Sequence, residues 1–181
     1  MSQKLRKEIA LNVKVERMYS TIYLDERVPI LPSELNNIRS EEGIKDILLT
    51  KLKEKHEGKC NANGYVKPNS IELIARSMGQ AENGRFTGNL IYDCKIKCEI
   101  LFPVAGTVIE GIVLKVVKMG AYVVHEEAIR ILLPRDLHIN DPNFDTILQG
   151  TKVKVRIERS RFQVHDLFIM AVGKLVPDVA E

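Results

Sequence analysis

The stretch GNLIYDCKIKCEILF, residues 88–102, decides the fold of this chain. Its even positions from Leu90 to Phe102 are all apolar, whereas its odd positions include Asp93, Lys95, Lys97 and Glu99. An alternation with a period of two predicts a long β-strand with one solvated face. The strand runs through Pro103 into a second, glycine-containing strand at 106–117, and a turn at 118–120 leads into a third segment at 121–124. This order predicts the opening of a small Greek-key barrel attached to an upstream unit.

The remainder of the second half reads as strand. Gly111 lies inside an apolar strand, which suits a chain that coils around a tight barrel or bulges. Further strands are predicted at 128–134, 151–157 and 166–172, with a turn-rich connection at 136–149. Five strands with a long excursion after the third predict an OB-type β-barrel.

The first half reads as a small α+β unit. Strand is predicted at 11–15 and 19–24, and a helix begins after the N-cap Ser40 and ends before Gly58. Between them, Pro29 and Pro32 predict a stiff loop instead of a helix or central strand. Loops lie on protein surfaces, so the apolar side chains of this loop should face solvent or a partner; they are Val28, Ile30, Leu31 and Leu35. The predicted fold is therefore α+β, with a first domain at 1–101 and a C-terminal barrel at 102–181.

Composition limits the classes of function. The chain has 181 residues, with 45% hydrophobic and 28% charged residues, which is typical of a globular protein. It lacks an apolar run of the ~18–20 residues that a membrane helix needs, and its charged N-terminus does not resemble a signal peptide. Three cysteines do not form a disulfide framework, so we expect a reducing, intracellular compartment, either nucleus or cytoplasm.

Net charge is only +3 and is unevenly placed. Residues 1–97 carry 17 Lys and Arg against 13 Asp and Glu, whereas residues 98–181 carry 10 against 11. Nucleic-acid binding would therefore depend on a local basic patch.

Two features of the barrel are candidates for such a patch. Lys152, Lys154 and Arg156 share one face of a strand, and Arg159 and Arg161 extend the row, so it could follow a phosphate backbone. The alternative is an ordinary solvated exterior. Tyr122, beside Lys118, could stack on bases, although most strand aromatics pack in the core. Phe162 and Phe168 are weaker candidates for the same role.

Catalytic and metal-binding patterns are not apparent. Cys94 and Cys98 fall on the apolar face of the long strand, where buried thiols behave as small hydrophobes. A structural zinc site needs four ligands, and Cys60 is the one other thiol. The histidines at 56, 125, 138 and 165 form no metalloprotease pattern. We therefore predict no catalytic residue, no metal and no cofactor.

The order of these features resembles the stalk subunit of multisubunit DNA-directed RNA polymerases, which is the seventh-largest subunit of polymerase II and its archaeal counterpart. The resemblance covers about residues 11–175. It rests on 52–60 leading into 63–66, on 84–86 followed by 92–100, and on 102–123 with its motifs Gly106-Thr107-Val108 and Met119-Gly120-Ala121-Tyr122.

The resemblance implies a ribonucleoprotein-like tip domain that docks on the polymerase core, a smaller stalk partner subunit, and an OB barrel that faces nascent RNA. It supports a role in initiation and clamp position. The matching docking segment comprises Val28, Pro29, Ile30, Leu31, Pro32 and Leu35. The RNA-binding residues would be Lys118, Tyr122, Lys152, Lys154, Arg156, Arg159 and Arg161.

The chain departs from the family in three ways, and other interpretations remain open. The passage 33–43 is longer than in the family, about ten residues precede the point where the family's sequence begins, and the barrel is nearly neutral. A protein from a divergent host or from a large DNA virus would show such differences. A viral protein could also be located in the virion.

The main alternative is a free-standing OB-fold RNA-binding protein of translation or RNA decay. The equivalent subunit of polymerase I or III is a third interpretation, and an enzyme is a distant fourth.

Overall fold

A computed structural model describes residues 19–36, 40–84, 86–139 and 141–176. The strand predicted at 11–15 lies outside the described residues. The described chain forms two compact units. The α/β unit comprises the described residues of Ser20–Gly58 and Val66–Ile100, and the barrel unit comprises those of Met1–Tyr19, Lys59–Tyr65 and Leu101–Glu181. Whether residues 1–101 and 102–181 fold as separate domains stays a prediction.

The α/β unit is a sheet with a helix against its apolar face. Strand β1 (Tyr19–Ile30) pairs with β6 (Leu90–Leu101), which also pairs with β4 (Glu72–Arg76) and β5 (Gln80–Ala81). Tyr92, Cys94, Ile96 and Cys98 are buried, so the alternation predicted for the long strand is confirmed. Helix α2 (Glu41–His56) contributes Leu48 and Leu52 to the same core. Its predicted N-cap is also confirmed, because the Ser40 hydroxyl accepts a hydrogen bond of 3.3 Å from the Gly43 N–H.

The loop predicted around Pro29 and Pro32 is wrong. Strand β1 continues through Pro29 to Ile30, and helix α1 (Pro32–Leu35) begins at Pro32. Val28 and Ile30 are buried in the core, whereas Leu31 is 47% exposed. The reason is the position of β1 at one edge of the sheet, where a proline without an N–H is tolerated, and proline also suits the first position of a helix.

The barrel is closed by five strands. They are β7 (Val108–Val117), β8 (Gly120–His125), β9 (Ile129–Pro134), β10 (Lys152–Arg161) and β11 (Ile169–Val176). Around the barrel the order is β7-β8-β9-β11-β10, returning to β7, and only the β9–β11 pair is parallel. A closed barrel of five strands is consistent with the predicted OB fold.

Two glycines permit close strand contacts in this barrel. A Cβ on Gly111 would lie 2.4 Å from Val123 Cγ1, so a side chain there would collide with β8. Gly120 begins β8 with a φ of 152°, and a Cβ there would lie 2.1 Å from the Leu133 carbonyl oxygen. The turn between β7 and β8 therefore depends on a residue without a side chain.

The connection between β9 and β10 is anchored by a buried histidine. After β9 the chain forms a 3₁₀ helix (Arg135–His138) and helix α3 (Pro142–Asp145) before β10 begins. His138 Nδ1 lies 2.7 Å from the Pro134 carbonyl oxygen, and Nε2 lies 2.8 Å from the Leu175 N–H. Because the first partner only accepts and the second only donates, the ring is neutral with its proton on Nδ1. His138 also stacks on Phe144.

The barrel unit also includes residues 59–65 from the first half of the chain, which form most of a short hairpin. The hairpin comprises β2 (Cys60–Asn61) and β3 (Gly64–Val66). The Cys60 N–H donates to the Asp166 carbonyl oxygen at 2.7 Å, and the His165 N–H donates to the Cys60 carbonyl oxygen at 2.8 Å. Cys60 and Tyr65 are buried in the barrel core, and burial raises the pKa of the Cys60 thiol to about 11.

Candidate nucleic-acid interface

The outer surface of β8 and β9 carries an exposed aromatic ring. Tyr122 is 43% exposed and pairs with Lys115 on β7 and with Leu132 on β9. Arg130 on β9 pairs with Val124, two residues along β8, so it is the diagonal neighbour of Tyr122 at ~7–8 Å between Cα atoms. Tyr122 therefore lies on the outer face of β8, with Arg130 as an exposed neighbour on β9.

Arg130 stacks on a ring from the loop between β10 and β11. Its guanidinium carbon lies 3.7 Å from the centre of the Phe168 ring, which is a cation–π contact. Arg130 was not among the predicted site residues, because it stands alone in the apolar run 128–133. A single charged residue in an apolar strand indicates a side chain that faces outward, so the exposure of Arg130 could have been predicted. Its contact with Phe168 could not be predicted from the sequence.

Lys118 and Phe162 have different surroundings. Lys118 is exposed in the turn between β7 and β8, three residues before Ala121 and four before Tyr122. Phe162 is half-buried and meets Phe102 edge-on with 5.8 Å between ring centres. Lys118 therefore borders the surface formed with Tyr122, Arg130 and Phe168, which we call the β8–β9 face, and Phe162 packs against the barrel.

The predicted basic row lies on another side of the barrel. Lys152, Lys154 and Arg156 are exposed on β10, whose neighbours are β7 and β11. In a ring of five strands, β10 is the strand that touches neither β8 nor β9. The structure therefore does not bring these three cations together with Tyr122. Arg156 pairs with Lys174 on β11, and Lys154 pairs with Glu110 on β7.

A β-bulge changes the position of the last two cations of the row. The pairing of β10 with β11 shifts between Ile157 and Arg159. Before the bulge the exposed cations have even numbers, and after it Arg159 and Arg161 are exposed at odd numbers. The extra residue therefore keeps all five cations on the outside of the barrel, since an unbroken strand would point the last two inward.

The other candidate chemistry is located in the cores. Cys94 and Cys98 are buried, as predicted, and burial raises the pKa of both thiols. Among the described residues, no group of three or more His, Cys, Asp or Glu side chains is placed to hold a metal ion. Within the same part of the chain, no helix has the length and apolar character needed to span a membrane.

Comparison with known proteins identifies one domain. Residues 103–164 match the S1 RNA binding domain. The matched segment contains β7 to β10 and the first part of the loop that leads to β11. No curated protein matches the chain. The closed barrel and this match together support an OB-fold domain with an RNA-binding function.

Proposed function

We propose that the barrel binds single-stranded RNA on the β8–β9 face. The observation that carries this proposal is the exposed Tyr122 ring beside the Arg130–Phe168 stack, in a barrel whose sequence matches an RNA-binding domain. Oligonucleotides bind OB folds across the second and third strands and the loops after the first and fourth. Here these parts are β8, β9, the turn at 118–119 and the loop at 162–168. Tyr122 and Arg130 would stack on bases, and Lys118 would contact a phosphate.

The expected affinity is moderate. Stacking of one base on an aromatic side chain contributes ~1–3 kcal/mol, and phosphate contacts weaken as salt rises. The nearly balanced charge of residues 98–181 limits the attraction at long range. Specific positions on the surface, instead of bulk charge, should therefore determine binding.

Fluorescence anisotropy with a labelled single-stranded RNA tests this role. Tyr122→Ala should weaken binding about 5- to 150-fold, since the lost stacking is ~1–3 kcal/mol. Tyr23→Ala is the matched control, because Tyr23 is an exposed tyrosine on β1 of the α/β unit, 60% accessible. Equal RNA affinity of the wild type and Tyr122→Ala would reject the β8–β9 face as the binding site.

We infer that this RNA-binding chain works as a non-catalytic stalk subunit of a DNA-directed RNA polymerase. The support is the resemblance over residues 11–175, together with a unit of α and β structure that precedes the barrel. The α/β unit would be the ribonucleoprotein-like tip that docks on the large core subunits, and a smaller stalk subunit would bind beside it. The barrel would guide nascent RNA, and the docked stalk would support initiation through the position of the clamp.

The residues available for docking differ from the predicted set. Because Val28 and Ile30 are in the core, Ile30→Asp would unfold the α/β unit and could not test assembly. The exposed members are Pro29, Leu31 and Pro32, and Leu35 is half-buried. Leu31 occupies the N-cap of α1, where an aspartate is favoured, so Leu31→Asp removes the apolar group while α1 is retained.

A tagged pull-down from the native cells, read by mass spectrometry, tests the assembly. The wild type should recover the large polymerase subunits in stoichiometric amounts, and Leu31→Asp should recover less. Recovery of RNA or ribosomal proteins without polymerase would reject the stalk role and favour the free-standing RNA-binding protein.

A further inference from the structure

We propose that RNA bound on the β8–β9 face continues across β11 onto β10, where a line of cations holds its phosphates. This inference rests on the proposed function and adds a second segment to the same site. We call the line of exposed side chains the β10 track; its members are Lys152, Lys154, Arg156, Arg159 and Arg161. The ligand class is therefore a single strand long enough to occupy both surfaces.

The β10 track has the shape of a backbone-binding surface. Its ends are nine residues apart, and a strand rises ~3.3 Å per residue, so the track is ~30 Å long. The bulge keeps the cations on one side over this whole length. Among the described residues, the carboxylates within or paired with the track are Glu158, in the bulge, and Glu110, paired with Lys154, while Lys174 adds a further cation beside Arg156. The net charge of these described side chains is therefore positive although residues 98–181 as a whole are nearly neutral.

One end of the track lies close to the β8–β9 face. Arg161 pairs with Met170 on β11, and Met170 pairs with Arg130 on β9. Two strand spacings of ~4.8 Å put the Cα atoms of the two arginines ~10 Å apart. In the next row, Arg159 pairs with Val172, which pairs with Leu132 beside Tyr122. A strand leaving the stacking site over β11 therefore meets Arg159 or Arg161 first.

The other end of the track opens into a groove. Its volume is about 210 Å³, and its lining includes Lys152, Lys154, Thr146 and Thr151. Hydroxyl and ammonium groups are donors that suit phosphate oxygens. Because β10 is on the side of the barrel away from β8 and β9, a short oligonucleotide on the β8–β9 face cannot reach this end.

The inference predicts a dependence of affinity on RNA length. Site sizes on OB folds range from about 4 to about 16 nucleotides, so a tetramer should occupy the β8–β9 face alone and a 16-mer should occupy both surfaces. The logarithm of the affinity falls linearly with the logarithm of the salt concentration. For single strands, each phosphate that the protein neutralises makes this slope steeper by about 0.7. Neutralising two cations of the track should therefore reduce the steepness of the salt dependence by about 1.4 for the 16-mer and leave it unchanged for the tetramer.

The experiment compares oligouridines of about 4 and about 16 nucleotides on the full chain by fluorescence anisotropy, between about 50 and about 200 mM salt. The test variant is Lys152→Gln with Arg156→Gln. Counterion release predicts a loss of about 60-fold for the 16-mer at about 50 mM salt and about 10-fold at about 200 mM. The control, Lys45→Gln with Lys95→Gln, removes the same charge from exposed positions of the α/β unit and should bind both RNAs as the wild type does.

The outcomes separate the track from the β8–β9 face. An unchanged affinity and slope for the 16-mer in the test variant, with Tyr122→Ala still defective, would overturn the track and leave the proposed function standing. An equal loss for both lengths, or the same loss in the control, would also overturn the track. If the wild type bound neither RNA, the proposed function and this extension of it would both be rejected.

Discussion

Replacing Gly120 by alanine should open the barrel between β8 and β9. Gly120 begins β8, pairs with Pro134 on β9, and has a φ of 152°, which residues with a side chain rarely adopt. The added Cβ would lie 2.1 Å from the Leu133 carbonyl oxygen, which is backbone of the neighbouring strand and has no rotamer through which to move away.

Two costs contribute to the expected loss of stability. The backbone conformation alone costs of order 1–3 kcal/mol for a residue with a Cβ. Relief of the collision requires β9 to move away, and overpacking of this kind costs typically ~1–3 kcal/mol more. The free energy of unfolding should therefore fall by about 2–6 kcal/mol in Gly120→Ala, which is a large share of the ~5–15 kcal/mol of a typical domain.

Urea unfolding followed by far-ultraviolet circular dichroism measures this difference. Gly106→Ala is the matched control, because Gly106 has a φ of 88° in the same unit and no atom within 4 Å of the added Cβ. The control should lose only the conformational cost. If both variants lost the same free energy, the contact with Leu133 would not limit the structure, and the reasoning from strand proximity would be refuted.

Two further predictions concern buried polar groups of the barrel unit. Burial raises the pKa of the Cys60 thiol from 9.0 to about 11. As the pH rises, the thiol therefore ionises in the unfolded chain before it ionises in the folded protein. Its contribution to the stability of the folded state is complete below pH 9 and is lost as the pH rises to 11. Between pH 8 and pH 10 this group should lower the free energy of unfolding by about 1 kcal/mol, a loss that is absent in Cys60→Ala if urea midpoints are compared at both pH values. His138→Ala should cost about 2–4 kcal/mol in the same assay, because the partly buried Leu175 N–H loses its acceptor and Phe144 its stacking partner. His138→Gln, which can restore the acceptor, should recover part of this, and an equal loss in both variants would contradict the role of the hydrogen bond.

The long strand was readable from the sequence because burial on a sheet alternates with the side chains. The alternation holds from Tyr92 to Ile100 and then changes, since Leu101 is buried in the barrel core while Phe102 is half-exposed. From Leu101 onward the buried side chains belong to the core of the barrel unit instead of the core of the α/β unit. The alternation along a single strand cannot show this change of core. The same limitation explains the wrong loop at Pro29, because the tolerance for proline depends on β1 being at a sheet edge.

The candidate site was predictable only in part for a related reason. The row of cations on β10 and the exposed Tyr122 follow from alternation within single strands. Their separation around the barrel depends on strand order, and the outward position of Arg159 and Arg161 depends on a bulge defined by the partner strand. Arg130 gains its neighbour Phe168 from a loop more than thirty residues downstream. These properties arise from pairing between distant segments, which local sequence does not encode.

The hairpin at Cys60 has a consequence for the order in which the protein is made. Its hydrogen-bond partners, His165 and Asp166, are translated about a hundred residues later. At about 5–20 residues per second, the ribosome needs roughly 5–20 s to supply them. During this interval the apolar side chains of Cys60 and Tyr65 have no barrel core to enter, because β7 to β11 all follow them in the chain. A nascent chain stalled before Asp166 therefore keeps these two residues available to chaperones.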